Sequence, residues 1–278
     1  MKEKSAGDEQ EMIGDHYRIE REIGHGGMAT VYLCTDSRSG SHVAVKLLRP
    51  EVGGIVAKER FLREIQFAKG FEHPAIPRVL DSGISDSLPY YAMDYVEGES
   101  LRDRLKRETK LSVTETIRIA AEIAKPMSYA HERGILHRDI KPENIQLGKN
   151  EVFVLDFGVA RALMGAADLR LTRTGITVGT PAYMSPEQVT AERDLDARSD
   201  IYSFGCVVYE MLSGTPPFHG ATPQVLMASR FKTQPPPLQT IRDDVPAKLV
   251  QAIAKAMARM PEGRWNSATE FVTAMRPK

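Results

Sequence analysis

Apolar residues along the chain recur in two periods, and the periods predict where strands give way to helices. Near the start, Gly24-His25-Gly26-Gly27-Met28-Ala29-Thr30-Val31-Tyr32 lies between two apolar, β-prone segments. Val43-Ala44-Val45-Lys46 then reads as a strand. Between residues 58 and 70, Phe61, Leu62, Ile65 and Ala68 fall at helical spacing, with Glu64 among them. Ser112-Val113-Thr114-Glu115 reads as a capping box that opens a long helix. Val113, Ile117, Ala120, Ala121, Ala124 and Met127 suit its buried face. Pro126 should kink that helix or loosen a turn, and Gly134 ends it. Val152-Phe153-Val154-Leu155 is a short apolar run, which predicts a strand with Asp156 at its end.

The last third carries helix start and stop signals. Ser213-Gly214 ends an apolar helix before Pro216-Pro217, and Thr222-Pro223 offers a cap with proline at the first helical position. Ser267-Ala268-Thr269-Glu270 is a second capping box, opening the final helix. Gln234-Pro235-Pro236-Pro237 reads as a rigid polyproline loop, with partner docking as the alternative. Residues 1–13 are polar and expected to be flexible. One folded region, 14–278, follows: a β-rich part with one main helix to about residue 93, a short connection at 94–98, and a mostly helical part over 99–278.

Composition narrows the class. A length of 278 residues exceeds a usual single core and fits two lobes of unequal size. Lys plus Arg and Asp plus Glu each number 37, so no basic field argues for nucleic acid. Cys34 and Cys206 share no metal or redox spacing; Cys206 reads as a small buried hydrophobe, which fits a reducing, cytoplasmic compartment. No apolar stretch reaches a membrane span, and the N-terminus has no signal-peptide core.

The chemistry concentrates in His137-Arg138-Asp139-Ile140-Lys141-Pro142-Glu143-Asn144, followed twelve residues after Asn144 by Asp156-Phe157-Gly158. Asp139 can accept the proton of an attacking hydroxyl, and Lys141 can neutralise charge on a moving phosphoryl group. Asn144 and Asp156 are hard oxygen ligands of the kind Mg²⁺ takes alongside phosphate and water. The glycines at 24, 26 and 27 let backbone N–H groups approach phosphates, and the strand that follows presents a lysine, Lys46. No Gly-Lys-Ser/Thr follows them, so this is not a Walker loop.

Together these strings resemble a serine/threonine protein kinase domain of the bacterial Hanks type, over about Tyr17 to Met275. Gly26-Gly27-Met28-Ala29, His73-Pro74-Ala75-Ile76 and Ser185-Pro186-Glu187-Gln188 carry the bacterial likeness. The resemblance implies an α+β, bilobal protein-kinase fold. It also implies nucleotide contacts by Ile23, Gly24, His25, Gly26, Gly27, Met28, Ala29, Thr30, Val31, Ala44 and Lys46. Met93 resembles the gatekeeper, Asp94 to Val96 the hinge that binds the adenine edge, and Gln146 takes the place of an apolar residue beneath that ring. Glu64 is expected to hold Lys46, with Glu59 as the competitor. Thr180 resembles the residue linking to Asp139 and Lys141, Asp200 the anchor of the loop 137–144, and Arg264 the partner of Glu187. Thr172 and Thr174 are the expected activating phosphosites, with Thr177 weaker.

The implied activity is transfer of the γ-phosphoryl group of ATP, with Mg²⁺ or alternatively Mn²⁺, to Ser or Thr hydroxyls of proteins. Lys141 and Thr180 fit a serine/threonine rather than a tyrosine acceptor. A homodimer would allow trans-autophosphorylation, and relatives often continue into a membrane anchor and sensor, as membrane-anchored receptor kinases. The alternatives are an inactive kinase-fold scaffold, which would show a lost lysine, aspartate or metal ligand, and a small-molecule phosphotransferase, which generally lacks a Ser-Pro-Glu segment.

Overall fold

The computed structural model describes residues 11–27, 29–50, 61–62, 65, 68–149, 151–157 and 181–276. The chain divides into two compact units: one runs to Gly70 and adds Arg78–Tyr95, the other comprises Phe71–Pro77 and everything from Val96.

The first unit is built on an antiparallel sheet. Its strands are β1 (Met12–Ile13), β2 (Tyr17–His25), β3 (Ala29–Asp36), β4 (His42–Leu48), β5 (Val79–Ser85) and β6 (Leu88–Asp94), in the order β1-β2-β3-β4-β6-β5. Alternation along β4 sends Val43 and Val45 into a core with Ile13, Tyr17, Cys34, Tyr90 and Ala92. Ala44 and Lys46 therefore take the opposite face. Phe61, Leu62, Ile65 and Ala68 are helical as their spacing predicts, and Phe61, Ile65 and Ala68 are buried.

Two expected boundaries move. The flexible segment does not extend to residue 13, because Met12 and Ile13 pair with Arg18 and Tyr17, and Ile13 is buried. An apolar side chain beside a sheet edge gains more by burial than it loses in chain freedom. Phe71–Pro77 also leaves the β-rich part. It is tied into the second unit by the Val154 N–H donating to Ala75 O at 3.0 Å, and by the Phe71–Phe157 and His73–Tyr129 ring contacts.

The second unit is mostly helical: α1 (Leu101–Glu108), α2 (Val113–His131), α3 (Pro186–Val189), α4 (Ala197–Ser213), α5 (Pro223–Lys232), α6 (Leu238–Ile241), α7 (Ala247–Ala256) and α8 (Ala268–Met275). A small antiparallel sheet of β7 (Glu99–Ser100), β8 (Ile145–Leu147) and β9 (Val152–Val154) flanks the loop 137–144. Gly98, at φ 142°, lets the chain pass so close to β8 that a Cβ would collide with the Leu147 carbonyl. Every residue of α4 from Ser199 to Ser213 is buried, so this helix is the post around which the unit packs.

Helix α2 continues through Pro126, which lies inside it and is buried. Its buried face is Thr116, Ile119, Ala120, Ile123, Ala124, Pro126, Met127 and Ala130, so Val113, Ile117 and Ala121 lie at its margin. Ser112 caps it by accepting the Glu115 N–H at 3.1 Å, while the Glu115 carboxylate pairs with Arg118 instead of closing the box. A complete capping box occurs at Ser185 and Gln188.

Candidate active site

Strand register places the phosphate-binding candidates of the first unit. Lys46 stands opposite Val31 on β3 and Tyr91 on β6, and Ala44 stands opposite Met93. Gly24 and His25 end β2, Gly26 and Gly27 form the turn, and the Gly26 N–H donates to Ala29 O at 3.0 Å. Ala29 begins β3 with Thr30 next to it, and both are buried; Ile23 is half-buried on β2. Met93 is buried at the end of β6, where the Asp94 carboxylate receives the Arg78 guanidinium at 2.9 and 3.0 Å. Met28, Glu59 and Glu64 lie outside the described residues.

In the second unit the loop 137–144 is shaped from beneath by Asp200. That carboxylate, fully buried in the first turn of α4, accepts the backbone N–H groups of His137 and Arg138, each at 2.7 Å. His131 Nε2 approaches it at 2.8 Å. Burial alone would raise the Asp200 pKa, but the His131 hydrogen bond and nearby charge hold it below its ordinary value. The clamp sustains an unusual backbone: Arg138 has φ 67°, a left-handed conformation costing about 1–3 kcal/mol outside glycine.

The same loop gathers three predicted residues. Lys141 Nζ donates to Asp139 Oδ2 at 2.6 Å. Asn144 Nδ2 donates to Asp139 O at 2.8 Å and to Oδ2 at 3.1 Å. The Leu155 N–H donates to Asn144 O at 2.8 Å, which sets Asp156 directly after a residue tied to Asn144. Asp156 itself has φ 66°. Buried His137 receives the Asp139 N–H on Nδ1 and donates from Nε2 to Leu155 O at 2.7 Å, with its ring 4.6 Å from Phe157. Asn144 and Asp156 thus offer hard oxygen donors on linked segments, a donor set suited to an ion that keeps water and phosphate in its shell.

Gln146, on β8, is half-buried. Its Nε2 donates to Val96 O at 3.4 Å, at the long end of hydrogen bonding. Glu187, in α3, is buried and bound by Arg264 at 2.6 and 2.8 Å and by the Ser199 hydroxyl at 2.6 Å. Gln188 Nε2 donates to Arg138 O at 2.8 Å, tying α3 to the loop. Thr172, Thr174, Thr177 and Thr180 lie outside the described residues. Missing from the sequence reading was a cluster of Arg102, Glu143, Tyr183 and Glu210. Glu143 lay within a motif but had no assigned role, and the others belong to no motif.

Residues 17–274 match the protein kinase domain family. The chain belongs to that family. It is 39% identical over 265 residues to the serine/threonine-protein kinase PknB of Mycolicibacterium smegmatis, covering 93% of this chain and 42% of that protein. It is equally 39% identical, over 270 residues, to a probable serine/threonine-protein kinase of Streptomyces coelicolor, covering 95% of this chain and 40% of that protein. The chain therefore spans about two fifths of the length of these curated relatives. The solved PknI kinase domain of Mycobacterium tuberculosis superposes with a TM-score of 0.75 at 29% identity, covering 97% of this chain and 98% of that one. The fold is the α+β, bilobal protein-kinase fold. Among the described residues no helix is long and apolar enough to cross a membrane.

Proposed function

We propose that this chain transfers the γ-phosphoryl group of ATP to serine or threonine hydroxyls of proteins. The observation that carries the reading is the convergence of Lys141 and Asn144 on one oxygen of Asp139, at 2.6 and 3.1 Å. Both bonds fall on Oδ2, which leaves Oδ1 as the oxygen to take the acceptor's proton. Lys141, held beside the carboxylate, supplies positive charge to the same region. Lys46 and the turn at Gly24 to Gly27 are assigned to the phosphates, Asp94 and Val96 to the adenine edge, and Asn144 and Asp156 to Mg²⁺ or Mn²⁺. The ion, when bound, neutralises charge on the β- and γ-phosphates.

Glu64 is assigned to hold Lys46, Thr180 to the acceptor side, and Thr172 and Thr174 to activation by autophosphorylation, through a homodimer. We place the domain in the cytoplasm, where ATP is abundant, within a longer protein. The likeness to named serine/threonine-protein kinases supports the acceptor class. Incubation with Mg-ATP and either a generic basic or acidic protein or small alcohols and aminoglycosides tests it. Phosphate on Ser or Thr of protein is expected; phosphate on the small alcohols alone would overturn the reading.

A further inference from the structure

Arg102, on α1, joins three elements that are remote in sequence. Its Nε donates to Glu143 Oε1 at 2.8 Å and its Nη1 to Glu210 Oε1 at 2.7 Å. Its Nη2 donates to the Tyr183 hydroxyl and, at 3.5 Å, to Glu210 Oε2. Tyr183 in turn donates its hydroxyl to Glu210 Oε2 at 2.5 Å. Glu210 and Tyr183 are almost wholly buried, at 1% and 3% exposure, so their polar atoms must be matched within the fold.

Arg102 stays charged and Tyr183 stays neutral. Burial works against the Arg102 charge, but the Glu210 hydrogen bond, Tyr183 and Glu143 raise its pKa above the ordinary value. Burial first, and Glu210 next, push the Tyr183 pKa upward, so its hydroxyl stays a neutral donor. A guanidinium meets these acceptors with a rigid planar fork of five N–H donors, a pre-organised geometry that a lysine ammonium on its flexible stem does not present.

Each partner leads to the site. Glu143 sits in the 3₁₀ turn Pro142–Asn144, directly before Asn144, whose amide holds Asp139. Tyr183 ends the 3₁₀ turn Pro181–Tyr183, which follows Thr180 in sequence. Glu210 belongs to α4, the buried post that also carries Asp200. We propose that Arg102 is a positioning residue for phosphoryl transfer, fixing the turn at Asn144 and the turn at Tyr183 against one buried carboxylate. The inference rests on the kinase reading above; Arg102 acts through Glu143 and Tyr183 and is not itself assigned to nucleotide or acceptor.

The experiment compares the parent, Arg102→Ala, and a double variant with Arg102→Met and Glu210→Gln, in which no carboxylate is stranded in the core. It measures kcat, KM for ATP and thermal unfolding. Arg102→Ala should lose about tenfold to 100-fold in kcat, the range expected for small misplacement of reacting groups, with KM for ATP little changed. Millimolar guanidinium should restore kcat several-fold in Arg102→Ala but not in the parent, and tetramethylammonium should restore nothing. The double variant should unfold near the parental temperature and still have low kcat, and it carries the test if Arg102→Ala does not fold. Parental kcat in either variant, or a folded Arg102→Ala that guanidinium leaves unchanged, would overturn the proposal. A parent without phosphoryl transfer would instead defeat the kinase reading.

Discussion

Arg264 reaches Glu187 with both terminal nitrogens, at 2.6 and 2.8 Å, across 77 residues of sequence. Neither side chain is more than 6% exposed. Breaking such a pair from one side strands a buried charge, so Arg264→Met should cost about 3–5 kcal/mol, and adding Glu187→Gln should recover part of it. Denaturant unfolding measures this; a loss below about 1 kcal/mol would contradict the assignment. The pair also predicts an acid response. Burial pushes the Glu187 carboxyl up, but hydrogen bonds from Arg264 and Ser199 hold it below the ordinary 4.5. A depressed folded pKa contributes stability above pH 4.5 that is lost as pH falls through the folded value. Stability should therefore decline below pH 4.5, and less steeply in Glu187→Gln.

Asp139→Asn should nearly abolish phosphoryl transfer while leaving the fold intact. A positioned base is worth about 10²–10⁴ in rate. The amide can still accept from Lys141 and Asn144, so the loop should keep its shape. Lys46→Met should lose comparably through the missing phosphate contact. Asp156→Asn should in addition weaken the response to metal. The measurement is autophosphorylation beside a thermal melt, and near-parental activity in folded Asp139→Asn would sink the mechanism.

Activation should follow phosphorylation at Thr172 or Thr174, six to eight residues before Thr180. Arg138 directly precedes Asp139, and a phosphothreonine of about −1.5 to −2 charge can order a segment by pairing with arginine. Mass spectrometry of active protein is expected to find phosphate at one of the two positions. A Thr172→Ala, Thr174→Ala protein as active as the parent would argue against this.

Gln146 invites a smaller effect than its sequence position suggests. Replacing an unsatisfied amide with Leu or Met would tighten ATP binding by up to about 1–2 kcal/mol. The amide instead reaches Val96 O at 3.4 Å, so a weak bond offsets part of the gain. Gln146→Met and Gln146→Leu should leave kcat intact and shift ATP affinity by no more than about 1 kcal/mol, roughly fivefold. Nucleotide titration decides it, and a tenfold or greater loss in both variants would mark the Gln146–Val96 contact as part of nucleotide recognition.

The sequence by itself determined whatever depends on short separations. The strand at Val43 to Lys46, the run before Asp156, the caps at Ser112, Thr222 and Ser267, and the spacing of Asp139, Lys141 and Asn144 are local. Backbone geometry carries each directly from residue order to position. The structure brings Lys141 and Asn144 onto Asp139 because only two and five residues separate them. The family likeness added two long-range expectations, Glu187 with Arg264 and Asp200 beneath the loop, and both contacts are present.

Other features were decided only by tertiary packing. Periodicity misplaced part of the α2 face, because Thr116, Ile119 and Ile123 are buried by neighbours that the helix cannot announce. Phe71–Pro77 joined the helical unit through Val154, Phe157 and Tyr129, each more than fifty residues away. Arg102 found Glu143, Tyr183 and Glu210 at separations of 41, 81 and 108 residues. A guanidinium in an unremarkable helix carries no sequence mark of its partners. Only when α1, the loop at Asn144 and the buried helix α4 are packed together do two carboxylates and a phenol surround it, and the burial of Glu210 and Tyr183 then makes the bonds to those two obligatory.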